Sequence, residues 1–264
     1  IEMSGRGPVG ASNRADLFTS RSDAQSTGRE SKNDEYDHKH DDVDDQNPLQ
    51  LEHMLGYAGD YHRTILASPH DENVFMKSLG SLVSIENLAD PHSQTFLRGH
   101  DMPVCALAIS DSGSLIASGQ LGTKNFKGCA APIFLWHATS HRRLAVLRGL
   151  ANKVTMLAFS QDEAFICGCD EDCFFYVWDL GTSEVVFGQK LTAPATVLKW
   201  AEQKKVGHYF SYELVLGIGG SINQALLSYD NFRMQWVMTF KPYQVPPSGG
   251  LQRCFNCVDM SKDR

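Results

Sequence analysis

The sequence predicts an all-β fold in which short four-stranded sheets repeat around an axis, a β-propeller that stops short of a full ring. Two observations carry this. Segment 104–110 (VCALAIS) returns at 154–160 (VTMLAFS), more weakly at 195–201 and 255–261, and its slot is filled upstream by 64–69. With Ala67, Ile109, Phe159, Trp200 and Met260 taken as one position, the spacings are 42, 50, 41 and 60. A second landmark keeps the same beat. Trp136-His137 and Trp178-Asp179 stand 42 apart, Tyr229-Asp230 follows 51 later, and Glu86-Asn87 lies 50 before Trp136.

A period near 40–45 with Gly-His before the first strand and Trp-Asp closing the third is the pattern of WD40 blades. Taken in order, the first blade (58–98) has predicted strands at 62–67, 73–77, 82–87 and 94–97, with breakers at Ser68-Pro69, Leu79-Gly80 and Asp90-Pro91. The second (99–148) has strands at 104–109, 115–119, 133–136 and 144–147. Its second and third strands are parted by a long insertion, 120–132, where a tight turn is usual. The third (149–190) is the most regular, with strands at 154–159, 164–169, 174–178 and 184–187. The fourth (191–250) has strands at 196–200, 213–217, 225–229 and 235–240, swollen by insertions at 202–209 and 241–250.

Flanking these, 51–57 alternates enough to act as the fourth strand of a neighbouring blade, and 252–261 as the inner strand of a fifth (251–264). The expectation is therefore about four blades plus strands of two others within 49–264. Four blades and a strand cannot close a ring, and an open row would leave two apolar sheet faces in water. The missing blades are expected from the rest of the protein or from another chain. The opening Ile1 likewise suggests a partial sequence.

Composition narrows the function classes. There are 24 Lys and Arg against 31 Asp and Glu, a formal net charge of −7, which argues against a general nucleic-acid binder. No stretch of about 18 apolar residues is present to span a membrane, and the first residues lack the basic-then-apolar pattern of a secretory signal. Seven cysteines, an odd number, fit a reduced cytoplasmic compartment better than a disulfide framework. Residues 1–48 form a separate, acidic segment with 6 basic and 11 acidic residues. They hold too few apolar groups to offset ordering entropy and are expected to be disordered. The run from Asp34 to Asp45, with His38 and His40, reads as a solvated linker.

The singled-out residues read mainly as structural. His100, Ser118 and Trp136 match three members of the hydrogen-bonded His–Ser–Trp–Asp set of WD40 blades, whose aspartate has no counterpart in 120–132. The third blade reverses the lack: Asp170 or Asp172 is placed for that turn, but Leu150 replaces the histidine. Trp178, Asp179 and Asp230 complete the structural positions. No acid, oxyanion hole and nucleophile converge, so no catalytic residue and no enzyme is expected. Cys167, Cys169 and Cys173 lack zinc-knuckle spacing, and Cys254 and Cys257 would face opposite sides of one strand; all read as small hydrophobes, with no metal or cofactor site. Gly217 to Gly220 lacks the lysine and helix of a phosphate loop and reads as a strand turn. In the insertion, Lys124 and Lys127 flank Phe126, a combination suited to an acidic, partly apolar partner surface.

Within the WD40 class, the run from Gly99-His100 through VCALAIS and SGSLIASGQ to a long loop and IFLW resembles two microtubule-linked families. One is the WD-repeat family of cilia and flagella found inside doublet microtubules. The other is the echinoderm microtubule-associated protein-like family, which shares the ASGQ-plus-loop pattern. Segments 51–57 and 73–87, with VSIEN at 83–87 in place of Trp-Asp, look more like the ciliary family. The resemblance covers about 49–264. It implies a non-catalytic scaffold of the axoneme that grips tubulin and other microtubule inner proteins, each weak contact summed along a repeating lattice. The alternative is a soluble adaptor for cytosolic complex assembly or ubiquitin-ligase substrate recruitment.

Overall fold

The computed structural model describes residues 51–57, 59–122, 130–201, 203–206, 209–245 and 254–260. Among them every regular element is a strand. The first sheet is β1 (Ile65–Ala67), β2 (Val74–Leu79), β3 (Leu82–Asn87) and β4 (Gln94–Leu97). The second is β5 (Val104–Ile109), β6 (Leu115–Gln120), β7 (Ile133–His137) and β8 (Arg143–Leu147). The third is β9 (Val154–Phe159), β10 (Phe165–Asp170), β11 (Phe174–Asp179) and β12 (Val185–Lys190). The fourth is β13 (Ala195–Trp200), β15 (Tyr209–Ile218), β16 (Ser221–Asp230) and β17 (Gln235–Pro242), with the short β14 (Lys204–Val206) paired on β15. Each sheet is an antiparallel meander in chain order.

The middle strands are buried on both faces, so they read as nearly continuous apolar runs, and the period of two decides which neighbour each residue meets. In β6, Leu115 and Ala117 pack toward the third sheet, whereas Ile116 packs toward the first. In β10, Phe165, Cys167 and Cys169 face the fourth sheet, and Ile166 faces the second. Three apolar clusters result, one at each junction of consecutive sheets. Met76, Val83 and Leu97 meet Phe134 and Trp136 at the first junction. Leu135 and Leu147 meet Trp178 and Leu180 at the second, and Phe175 and Val177 meet Leu214 and Leu227 at the third. Among the described residues no cluster joins the first sheet to the fourth, so these four sheets do not close a ring.

The two outermost sheet faces are more polar than the sequence leads one to expect. On the far face of the first sheet, Lys77 pairs with Glu86 at 3.0 Å, and Ser84 donates to the same carboxylate at 2.7 Å. On the far face of the fourth, buried Glu213 accepts from Gln224 (2.8 Å), Lys204 (3.2 Å) and Tyr243 (3.2 Å). Both insertions of this sheet thus converge on one carboxylate. Segments 51–57 and 254–260 also differ from expectation, since neither carries a strand. The first is held by a side chain instead: Met54 donates its N–H to Gln94 Oε1 at 2.7 Å and accepts from Gln94 Nε2 at 3.1 Å.

Turns at one end of the sheets tie neighbours together. Glu163 accepts from the Ser114 hydroxyl at 3.0 Å and also from Ser112, whose carbonyl meets the His70 ring of the first sheet. Tyr212 donates to Asp162 at 2.9 Å, linking the fourth sheet to the third.

Candidate functional site

The polar centre of the molecule lies in the second sheet. Gly99, at φ +135°, turns the chain so that His100 enters between β6 and β7. A backbone at that angle is nearly exclusive to glycine. His100 Nε2 lies 2.7 Å from Ser118 Oγ, and Trp136 Nε1 donates to the same oxygen at 2.8 Å. His100 Nδ1 lies 2.8 Å from Gln120 Oε1, and Gln120 Nε2 donates to Asp101 Oδ1 at 2.6 Å.

These contacts have one consistent direction. A carboxylate only accepts, so Asp101 orients the Gln120 amide with its carbonyl toward His100. That carbonyl requires the proton on Nδ1, which leaves Nε2 to accept from the Ser118 hydroxyl. Ser118 in turn accepts from Trp136. The relay therefore runs Trp136 to Ser118 to His100 to Gln120 to Asp101. The imidazole stacks on Phe134, with centroids 4.1 Å apart and planes 16° apart, and the Arg143 guanidinium lies over the Phe134 ring at 5.0 Å from its centroid. Burial lowers the His100 pKa to about 4 against the opposing pull of Gln120 and Asp101, so the ring is neutral at pH 7. Ser118 is completely buried. A hydroxyl sealed in this way meets no substrate.

Sequence reasoning finds His100, Ser118 and Trp136 and misses Gln120. The signal for it is the offset of 50 that carries Ile109 to Phe159, because the same offset carries Gln120 to Asp170. In the third sheet that offset places Leu150 at the histidine slot and Gly168 at the serine slot. With both relay partners gone, Trp178 Nε1 donates to the Arg148 carbonyl instead, at 2.8 Å. Asp170, rather than Asp172, supplies the Oδ1 that caps the Phe174 N–H at 2.9 Å, and burial raises its pKa. Gly149 keeps φ +138°, the counterpart of Gly99. Gly149→Ala is expected to cost about 1–3 kcal/mol, read as a lowered urea midpoint with an unchanged slope.

The second landmark has one local job in all four sheets: it caps the turn between the third and fourth strands. Asp179 Oδ1 accepts from Gly181 (2.6 Å) and Thr182 (3.1 Å), and Asp230 Oδ1 from Phe232 (2.9 Å) and Arg233 (3.2 Å). Asn87 Oδ1 accepts from Ala89 at 2.8 Å, and His137 Nδ1 from Ser140 at 3.1 Å. These are turn-closing contacts of the kind that Asx residues make.

The thiols behave as small hydrophobes. Burial pushes Cys105 up to about 12 and raises Cys167 and Cys169 well above the ordinary thiol value. Cys254 and Cys257 are exposed and lie outside any strand, so the strand-face argument against their chelating one ion does not apply. Among the described residues no group of three or more His, Cys, Asp or Glu side chains is arranged to hold a metal ion. A cavity of about 200 Å³ opens between the inner strands, floored by Leu107 and Phe159 and edged by Arg63, Asp111 and Lys199. Arg63 donates to the Asn256 carbonyl at 3.1 Å, and Lys199 lies 3.8 Å from Asp259. Lys124, Phe126 and Lys127 lie outside the described residues. The ends of their loop are fixed by Leu121 N–H to Pro103 O (2.8 Å) and Ala131 N–H to Leu150 O (3.0 Å).

A family model described as "WD domain, G-beta repeat" matches residues 91–124 and 142–179. The chain carries WD40 repeats. Among relatives, "Cilia- and flagella-associated protein 52" of Chlamydomonas reinhardtii is 34% identical over 143 residues, 53% of this chain and 23% of that protein. The Homo sapiens protein of the same name is 32% identical over 142 residues, 53% of this chain and 22% of that one. "WD repeat-containing protein 90" of Homo sapiens is 29% identical over 151 residues, 56% of this chain and 8% of that protein. The matched WD40 segment thus spans less than a quarter of each of these relatives. A crystal structure of Kluyvelomyces marxianus Hsv2 superposes with a TM-score of 0.50 at 13% identity, covering 66% of this chain and 57% of that one, which shows the fold alone.

Proposed function

We propose that this chain is a non-catalytic WD40 scaffold of the cilium or flagellum, placed inside doublet microtubules, where it binds tubulin and neighbouring luminal proteins. The observation that carries this reading is the 34% identity over 143 residues to a relative named for cilia and flagella. The chemistry of the polar centre supports it. The Ser118–His100 pair is buried and committed to its neighbours, so the imidazole serves packing rather than proton transfer. What remains available for function is a rigid row of sheets displaying turns, the arrangement that suits adhesion.

Fractionation of axonemes from a ciliated cell expressing the tagged protein tests this. The chain is expected to stay with doublet microtubules through a high-salt wash and to be absent from non-ciliated cells. Release by detergent together with soluble partners would overturn the reading in favour of a cytosolic adaptor.

A further inference from the structure

We propose that His53 and His92 form a two-histidine site for a zinc ion, which clamps the segment preceding β1 onto the first sheet. His53 Nε2 and His92 Nδ1 are 3.4 Å apart, with ring centroids at 5.4 Å and planes at 84°. That separation is long for a nitrogen–nitrogen hydrogen bond, which favours roughly 2.7–3.2 Å. It equals the bite of two imidazoles on one tetrahedral zinc: with Zn–N near 2.0–2.1 Å, the two nitrogens stand about 3.4 Å apart.

The backbone on both sides is fixed independently of the rings. Met54, next to His53, is gripped twice by the Gln94 amide, at 2.7 and 3.1 Å. His92, two residues before Gln94, donates its N–H to Asp90 Oδ1 at 3.1 Å in the turn between β3 and β4. Both rings are exposed, so an ion reaches them directly and water fills the remaining two positions. The metal would join residues 39 apart in sequence and pin residues 51–57, which carry no strand of their own, to the turn between β3 and β4.

Calorimetric titration of the intact chain with zinc chloride tests the site, in a background where Cys254→Ser and Cys257→Ser remove the exposed thiols. One equivalent of zinc is expected to bind. The dissociation constant should rise at least about tenfold in His53→Ala and in His92→Ala and be unchanged in a His38→Ala/His40→Ala double variant. Zinc should also slow hydrogen exchange at the Met54 amide. Both histidines are exposed, so neither substitution endangers the fold. Uptake that survives both single variants, or that disappears only when His38 and His40 are replaced, would overturn the proposal, as would a Met54 amide indifferent to zinc.

Discussion

Trp178→Ala is expected to lower the free energy of unfolding by about 3–5 kcal/mol. The indole is completely buried in the junction between the second and third sheets, against Leu135, Leu147, Ile166 and Leu180. Truncation removes the ring from this junction, and it also leaves the Arg148 carbonyl without the Nε1 donor at 2.8 Å. The cavity has little means of collapsing, because its walls belong to two sheets held apart by their own ladders. Chemical denaturation reads the effect as a fall in the midpoint. A cost below about 1 kcal/mol would mean that the two sheets do not depend on this junction.

The second large effect is that of pH, acting through His100. Its pKa is about 4 in the folded chain against 6.5 as the ordinary value. The unfolded state therefore binds a proton that the folded state refuses, and stability is full above pH 6.5 and is lost as pH falls toward 4. The ceiling of the loss is about 3 kcal/mol. His141, also lowered by burial, acts in the same direction. Asp170 opposes it, because a carboxyl whose pKa is raised by burial favours the folded chain as it protonates. The His100 share can be isolated with a double variant, His100→Leu with Ser118→Gly, which copies the third sheet. There Leu150 and Gly168 coexist with an indole bonded to a carbonyl. The pH slope between 6.5 and 4 should flatten in the double variant. Ser118→Ala alone should be costlier than Ser118→Gly in that background, since it strands both the Trp136 donor and the His100 acceptor.

Much of the fold is legible because the repeats are local and their turns are marked. The predicted limits of β3, β4, β5 and β9 coincide with those observed, each strand being bounded by residues that break a ladder. The hairpin of β14 on β15 is missed because 202–209 holds no apolar alternation to announce a strand. Segments 51–57 and 254–260 alternate like strands, yet alternation specifies a face and not a partner. Gln94 takes the place of a ladder for the first of them. Three of the five relay members, His100, Ser118 and Trp136, were visible in the sequence. Gln120 escaped because an amide does the work assigned to an aspartate, and because its own orientation depends on Asp101, a neighbour that only the folded chain brings to 2.6 Å. The polar far faces escaped for a similar reason: Glu213 gathers Lys204, Gln224 and Tyr243 from three places in the sequence that share no periodicity.

The buried polar relay of the second sheet ties His100 to Ser118 and Gln120 and fixes the state of its ring. Nitrogen-15 NMR of the His100 imidazole tests it most directly. The relay predicts a neutral ring with its proton on Nδ1, unchanged from pH 8 until the solution nears pH 4. A proton on Nε2, or a ring that titrates near 6.5 as a solvated histidine does, would contradict it.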